Sequence, residues 1–259
     1  MKHLLILRPP AQADELEQML QRQAAAGRIP VTIESASMLA IQGYDDPAHS
    51  LIEILSQPWD GALMVSVNAA QYFAQQAQAW APGYALPRCR WYAVGPVSAA
   101  AIANVVQQPV TCPWREHNSD ALLKLPELQQ VKDQRWLIVR GHGGRELFAD
   151  TMRARGAQIE YLEVYQRITK TFPADQLQHW QQRVDTILVS SAEQLGAFLA
   201  QVPSEALPWL TSCQWVVASE RLKQLLPTAM QHNASVADSA ASFAMVEAWQ
   251  RTLQLTKEV

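Results

Sequence analysis

Short aliphatic runs, mostly without polar–apolar alternation, recur along the whole chain and are separated by amphipathic stretches. Leu4–Leu7, Val31–Ser35, Ala62–Val67, Trp91–Val94, Val110–Cys112, Trp136–Val139, Ile159–Tyr165, Thr186–Val189, Trp215–Ala218 and Ser235–Val236 read as strands. A strand that is apolar on both sides must be covered on both sides, which is the condition of a parallel sheet clothed by helices. Between these runs, residues 14–23, 50–55, 69–78, 98–106, 119–125, 146–155, 192–199, 221–226 and 242–253 repeat apolar side chains at helical spacing. Strand and helix in alternation define an α/β fold with parallel sheets. Ser119 is the expected N-cap of one helix, and Gly156 the glycine that ends another after Arg155.

An internal echo points to two similar domains. Residues 59–66 (Trp-Asp-Gly-Ala-Leu-Met-Val-Ser) resemble residues 184–191 (Val-Asp-Thr-Ile-Leu-Val-Ser-Ser), and 90–95 resemble 214–219, in the same order. A length of 259 residues suits two small domains or one large one. The 49% apolar content supplies their cores, and a net charge of −3 argues against a nucleic-acid partner. The start, MKHLLILRPP, has a four-residue apolar run before Arg8, shorter than a signal peptide requires, and no stretch reaches membrane-spanning length. Three scattered cysteines, Cys89, Cys112 and Cys213, suit a reducing compartment, so a cytoplasmic location is expected.

The strongest local signal is the strand Trp136–Val139 running into Arg140-Gly141-His142-Gly143-Gly144-Arg145-Glu146 and then a helix. Glycines at such a turn let backbone N–H groups converge, the helix start adds its positive end, and Arg140 and Arg145 add two guanidinium groups. That combination suits a carboxylate or phosphate. Tight packing alone would also use the glycines, and the turn's own residues leave both readings open. Glu146 stands where a dinucleotide fingerprint needs its third glycine, and no Gly-Lys-Ser/Thr follows for a P-loop. His3, His49, His117, His142, His179 and His232 show neither zinc spacing nor an HExxH, and no Gly-x-Ser-x-Gly elbow is present.

The continuation through Arg155-Gly156-Ala157 to Glu163-Val164-Tyr165-Gln166-Arg167 resembles the uroporphyrinogen-III synthase family. Shorter matches follow in family order: Leu5–Pro9, Ala62–Ala69, Tyr92–Ala99, Leu188–Ala192 and Val216–Leu222. The resemblance implies two flavodoxin-like α/β domains, residues 1–34 with 169–259 and residues 38–163, joined by linker strands at about 31–38 and 159–168, with the active site in the interdomain cleft. It implies hydroxymethylbilane, a linear tetrapyrrole with eight carboxylates, as substrate. The family removes the terminal hydroxyl, inverts the fourth pyrrole ring and closes the macrocycle, as a hydro-lyase without metal or organic cofactor. A monomer is implied, with no nucleic-acid or membrane partner; a transient contact with the preceding pathway enzyme is compatible with it.

The same resemblance makes Tyr165 the candidate proton donor, since a phenol is a weak acid able to hydrogen-bond a leaving hydroxyl. Arg8, Arg140, Arg145 and Arg221 follow strands, as a polycarboxylate site favours. Ser66, Ser98, Ser190 and Ser219 lie at strand ends or helix starts, where they either hold carboxylates or cap helices. Asn68 and Ser98 stand where other members have Thr or Arg, a variation that backbone donors tolerate. Backbone groups at Gly95, Gly141 and Gly143 complete the expected binding set. The rival functions are a nucleotide-dependent α/β protein using the Gly141–Gly144 turn, and a two-lobed α/β sensor of a small anion.

Overall fold

The computed structural model describes residues 1–45 and 49–255. Among them are eleven strands: β1 (Lys2–Leu7), β2 (Val31–Ala36), β3 (Leu39–Gly43), β4 (Gly61–Met64), β5 (Arg90–Ala93), β6 (Val110–Thr111), β7 (Arg135–Gly141), β8 (Gln158–Thr169), β9 (Thr186–Val189), β10 (Gln214–Val217) and β11 (Ala234–Val236). They divide between two compact units, Met1–Ala40 with Ile168–Val259, and Ile41–Arg167. The chain therefore passes between units after Ala40 and after Arg167. β2 pairs with β1 along its whole length, inside the first unit.

In the first unit the strands lie in the order β11-β10-β9-β1-β2, and all neighbours are parallel. Counted along the unit this is the flavodoxin-like order 2-1-3-4-5. In the second the order is β3-β8-β7-β4-β5-β6, with β8, β7, β4, β5 and β6 mutually parallel. Counted from β4 it runs 3-2-1-4-5, the other common doubly wound order, with β3 at its edge.

The two sheets are one arrangement entered at different points of the chain. β9, β10 and β11 correspond to β4, β5 and β6, while β1 and β2 correspond to β7 and β8. Register makes the match residue by residue: Leu4–Leu7 lie beside Thr186–Val189 as Trp136–Val139 lie beside Gly61–Met64. Arg8 and Arg140 therefore occupy equivalent strand ends. The sequence echo has the same basis. Asp185 accepts from the amide of His3 at 3.1 Å and Asp60 from that of Arg135 at 2.8 Å, each pinning the start of the neighbouring strand. Six residues on, Ser191 and Ser66 cap the next helix, accepting from Gln194 N at 3.4 Å and Ala69 N at 3.1 Å.

Burial explains the unalternating runs. Along β7, Leu137 and Val139 join the cluster around Phe73 and Trp91, whereas Trp136 and Ile138 join the cluster around Tyr92 and Phe148. Successive side chains point to opposite faces, and both faces are covered. Trp91, Trp136 and Trp215 are core residues, each no more than 1% exposed.

Local chemistry moves several boundaries. The strand expected over Ala62–Val67 ends at Met64, because Ser66 already caps the helix Val67–Trp80. Asn118, not Ser119, caps the helix Ser119–Leu122, accepting from Ala121 N at 2.8 Å. Gly156 ends the helix Leu147–Ala154 as expected, with φ of 89°.

Candidate active site

In a doubly wound sheet, ligands sit beyond the strand ends where the strand order reverses. In the second unit that point lies between β4 and β7, and the glycine turn is there. β7 ends at Gly141, which lies against the ring of Tyr165 from β8: a Cβ at residue 141 would meet Tyr165 Cε2 at 2.3 Å. Only glycine fits this approach. The β7–β8 register is irregular between Arg140 and Gly141, which pair with Glu163 and Tyr165, so Val164 is skipped. This bulge places Val164 and Tyr165 in the same core cluster, and bulges commonly re-aim a side chain beside an active site. The Tyr165 hydroxyl lies 3.4 Å from Ser66 Oγ, and its ring rests on Tyr72 at a centroid distance of 5.6 Å.

Beyond Gly141 the turn takes two left-handed residues, Gly143 (φ 68°) and Gly144 (φ 106°), a conformation that favours glycine. Among the described residues, the amides of Gly143, Gly144, Arg145 and Glu146 donate to no protein acceptor. Four consecutive donors without partners beside the start of a helix form a cradle for an anion. Arg145 is exposed at its rim and has no ion-pair partner among the described residues. Arg140 is arranged otherwise. Its buried guanidinium turns into the loop, donating to Gly141 O at 3.2 Å, to Gly143 O, and to Glu146 Oε1 at 2.7 Å. It lies 4.9 Å above the Tyr161 ring, and the Tyr161 hydroxyl donates to the other Glu146 oxygen.

The hydrogen bonds from Tyr161 and then Arg140 hold the Glu146 carboxyl below the usual carboxylate range. Burial, and next the bond to Glu146, push the Tyr161 hydroxyl upward. The cavity in front of the turn measures about 290 Å³ and is bounded by Tyr165, His142, His117, Asn118 and Arg167 as well as the turn. That is at the lower limit of the roughly 300–1,000 Å³ of enclosing ligand pockets.

Asn68, Gly95 and Ser98 stand at the starts of the helices Val67–Trp80 and Pro96–Val106, whose Phe73 and Ile102 pack on the opposite face of the sheet from Phe148 of the turn's helix. Gly95, not Ser98, is the N-cap of the helix Pro96–Val106, and a Cβ there would meet His117 Cβ at 3.0 Å. In the first unit the strand order reverses between β1 and β9. There Arg8 donates to Ser190 Oγ at 2.8 Å and to Ala240 O at 3.0 Å. Burial lowers the Arg8 pKa from its ordinary value, with the Glu15 charge opposing. Ser219 caps the short helix Glu220–Gln224, accepting from Leu222 N at 3.2 Å, and Arg221 is exposed on that helix.

The structure thus groups Ser66, Arg140, Gly141, Gly143, Arg145 and Tyr165 in the second unit, and Arg8 with Ser190 in the first. Residues that sequence reasoning did not single out are Glu146 as a partner of Arg140, Tyr161, His117, and the His142–Glu163 pair at 2.8 Å. Alternation along β8 carried a signal for Tyr161 and Glu163, which share one side of the strand two residues apart.

Fold and site define a two-unit, doubly wound α/β protein with a glycine turn of unpartnered amides at a strand-order reversal. The chain belongs to the uroporphyrinogen-III synthase family, whose model, described as Uroporphyrinogen-III synthase HemD, matches residues 17–247. It is 38% identical over 164 residues to the uroporphyrinogen-III synthase of Salmonella typhimurium, covering 62% of this chain and 67% of that protein. The Escherichia coli K12 protein of the same name is 37% identical over 163 residues, covering 62% and 66%. The matched region thus spans about two thirds of these relatives. Among solved structures, a mutant uroporphyrinogen III synthase from Thermus thermophilus superposes with a TM-score of 0.56 at 14% identity, covering 98% of this chain and 99% of that one. The Helicobacter pylori uroporphyrinogen-III synthetase gives 0.56 at 10% identity, covering 97% and 99%. At such identities these two show the fold. No helix among the described residues is long and apolar enough to cross a membrane.

Proposed function

We propose that the protein cyclises hydroxymethylbilane to uroporphyrinogen III with loss of one water, acting as a cytoplasmic, monomeric hydro-lyase. Family membership supplies the reaction, and one observation supports placing a substrate carboxylate in the second unit: the unpartnered amides of Gly143–Glu146 stand beside the exposed Arg145 and the Tyr165 hydroxyl. A substrate with eight carboxylates needs such donors, and backbone amides supply them without side-chain entropy. Arg8 with Ser190, and Ser219 with Arg221, are proposed as further carboxylate contacts.

In the proposed step the terminal C–O bond breaks and the hydroxyl takes a proton from Tyr165, leaving as water. The pyrrole nitrogen's electrons stabilise the resulting carbon centre as an azafulvene. The substituted carbon of the fourth ring then attacks, giving a spiro intermediate. That carbon's bond to the bridge carbon from the third ring breaks, and the bridge carbon bonds instead to the ring's unsubstituted α carbon. The proton released there returns to Tyr165, so the ring is inverted and one water is the net loss. Substrate able to form its own azafulvene needs modest acid help, so the larger contribution is holding the fourth ring for attack by its substituted carbon. Arg140, turned into the loop, is a positioning residue in this scheme.

Incubating the protein with freshly made hydroxymethylbilane and resolving the products by chromatography tests the proposal. Type III isomer, formed faster than spontaneous closure gives type I, is the expected outcome. Type I alone, at the spontaneous rate, contradicts it.

A further inference from the structure

A buried guanidinium joined to a half-exposed carboxylate is an arrangement with a cost, and here it lies directly under the glycine turn. The Arg140 side chain is 6% exposed and that of Glu146 is 46% exposed. Glu146 stands at the N-cap of the helix Leu147–Ala154 but makes no cap hydrogen bond. Its two oxygens are taken instead by Arg140 Nη1 and the Tyr161 hydroxyl. Arg140 in turn holds the carbonyls of Gly141 and Gly143. With two turn carbonyls drawn inward, the turn is held in one conformation, the one in which the following amides are left without protein acceptors. Gly141 then meets the Tyr165 ring, and His142 N donates to Tyr165 O at 2.7 Å.

We infer that Glu146 and Tyr161 form a lock that positions both the amide cradle and Tyr165 through Arg140, making them positioning residues for the cyclisation. This rests on the proposed activity. At the N-cap, the Glu146 carboxylate is favoured by the helix dipole wherever it points. Its actual direction, away from its own helix and onto Arg140 and Tyr161, is what assigns it this task. Arg153, in the last turn of the same helix that Glu146 precedes, places its guanidinium 5.4 Å from the Tyr161 ring centroid.

Glu146→Gln removes the charge and keeps the shape. Tyr161→Phe removes the hydroxyl and keeps the ring beneath Arg140. Each variant is expected to raise the KM for hydroxymethylbilane by about tenfold or more, with rates normalised to folded protein. The double variant should be little worse than the poorer single, because both break one unit. A merely structural role would lower the folded fraction and leave KM unchanged; that result, or full additivity, overturns the lock.

A second readout needs no turnover. Hydrogen exchange at the His142 amide should quicken by about tenfold or more in both variants, relative to amides in the middle of β7. Unchanged exchange also overturns the inference. If the wild-type protein forms no type III isomer, the activity fails, while the exchange measurement still decides the lock.

Discussion

Gly141→Ala is expected to lower the rate of type III isomer formation by about 10²-fold or more. The added methyl would lie 2.3 Å from Tyr165 Cε2, 2.5 Å from Cζ and 2.9 Å from Cδ2, inside any permitted contact. The ring has no easy retreat. It is 6% exposed, its other side rests on Tyr72, and its backbone is tied to His142 N. Either the Tyr165 ring shifts or the turn does, and both carry proposed functional groups away from their places. A displacement of about 1 Å suffices for a loss of this size. Overpacking of this kind also costs about 1–3 kcal/mol of stability, well below the roughly 5–15 kcal/mol typical of a folded domain. The variant should therefore remain folded in a urea titration while losing activity. Near wild-type turnover would show that the Gly141–Tyr165 contact serves packing alone.

Tyr165→Phe separates the hydroxyl from the ring. Here kcat is expected to fall by roughly 10²-fold with little change in KM, because the phenol is proposed to meet only the leaving hydroxyl. Stability should hardly move, since the hydroxyl's one hydrogen bond to protein among the described residues is a long 3.4 Å approach to Ser66 Oγ. Steady-state kinetics on freshly made substrate check this directly. A kcat within about twofold of wild type would leave Tyr165 as the packing element that sets the turn, and would assign proton transfer to solvent or substrate.

The α/β class was legible because buried parallel strands leave a plain mark. Leu4–Leu7 and Thr186–Val189 are continuous apolar runs, and each is covered on both faces. The glycine turn was legible for a related reason, as Gly143 and Gly144 adopt backbone angles that few other residues reach. β3 left no mark: its Leu39–Gly43 run is a partly exposed edge, with neither a continuous apolar face nor clean alternation. The helix Ala174–Arg183 was equally quiet, since Leu177 and Trp180 are its only large apolar side chains among polar ones.

Within the site, residue identity told less than direction. Arg140 and Arg145 read alike as candidate anion ligands, yet one is turned into the loop and the other outward, a difference set by where Glu146 and Tyr161 lie after folding. The bulge that skips Val164 is also invisible in Glu163-Val164-Tyr165, because it depends on how β7 ends rather than on β8 itself. Similarly, Ser190 and Ser191 are identical neighbours, one holding Arg8 and the other capping a helix.

The central structural claim is that the Gly143–Glu146 amides, beside Tyr165, receive a carboxylate of the tetrapyrrole. Amide chemical shifts of nitrogen-15-labelled protein, followed while uroporphyrinogen III is added under reducing conditions, test it most directly. The largest changes are expected at Gly143, Gly144, Arg145 and Glu146, with smaller ones at His142 and Tyr165. Saturable binding that leaves those four resonances unmoved would contradict the claim.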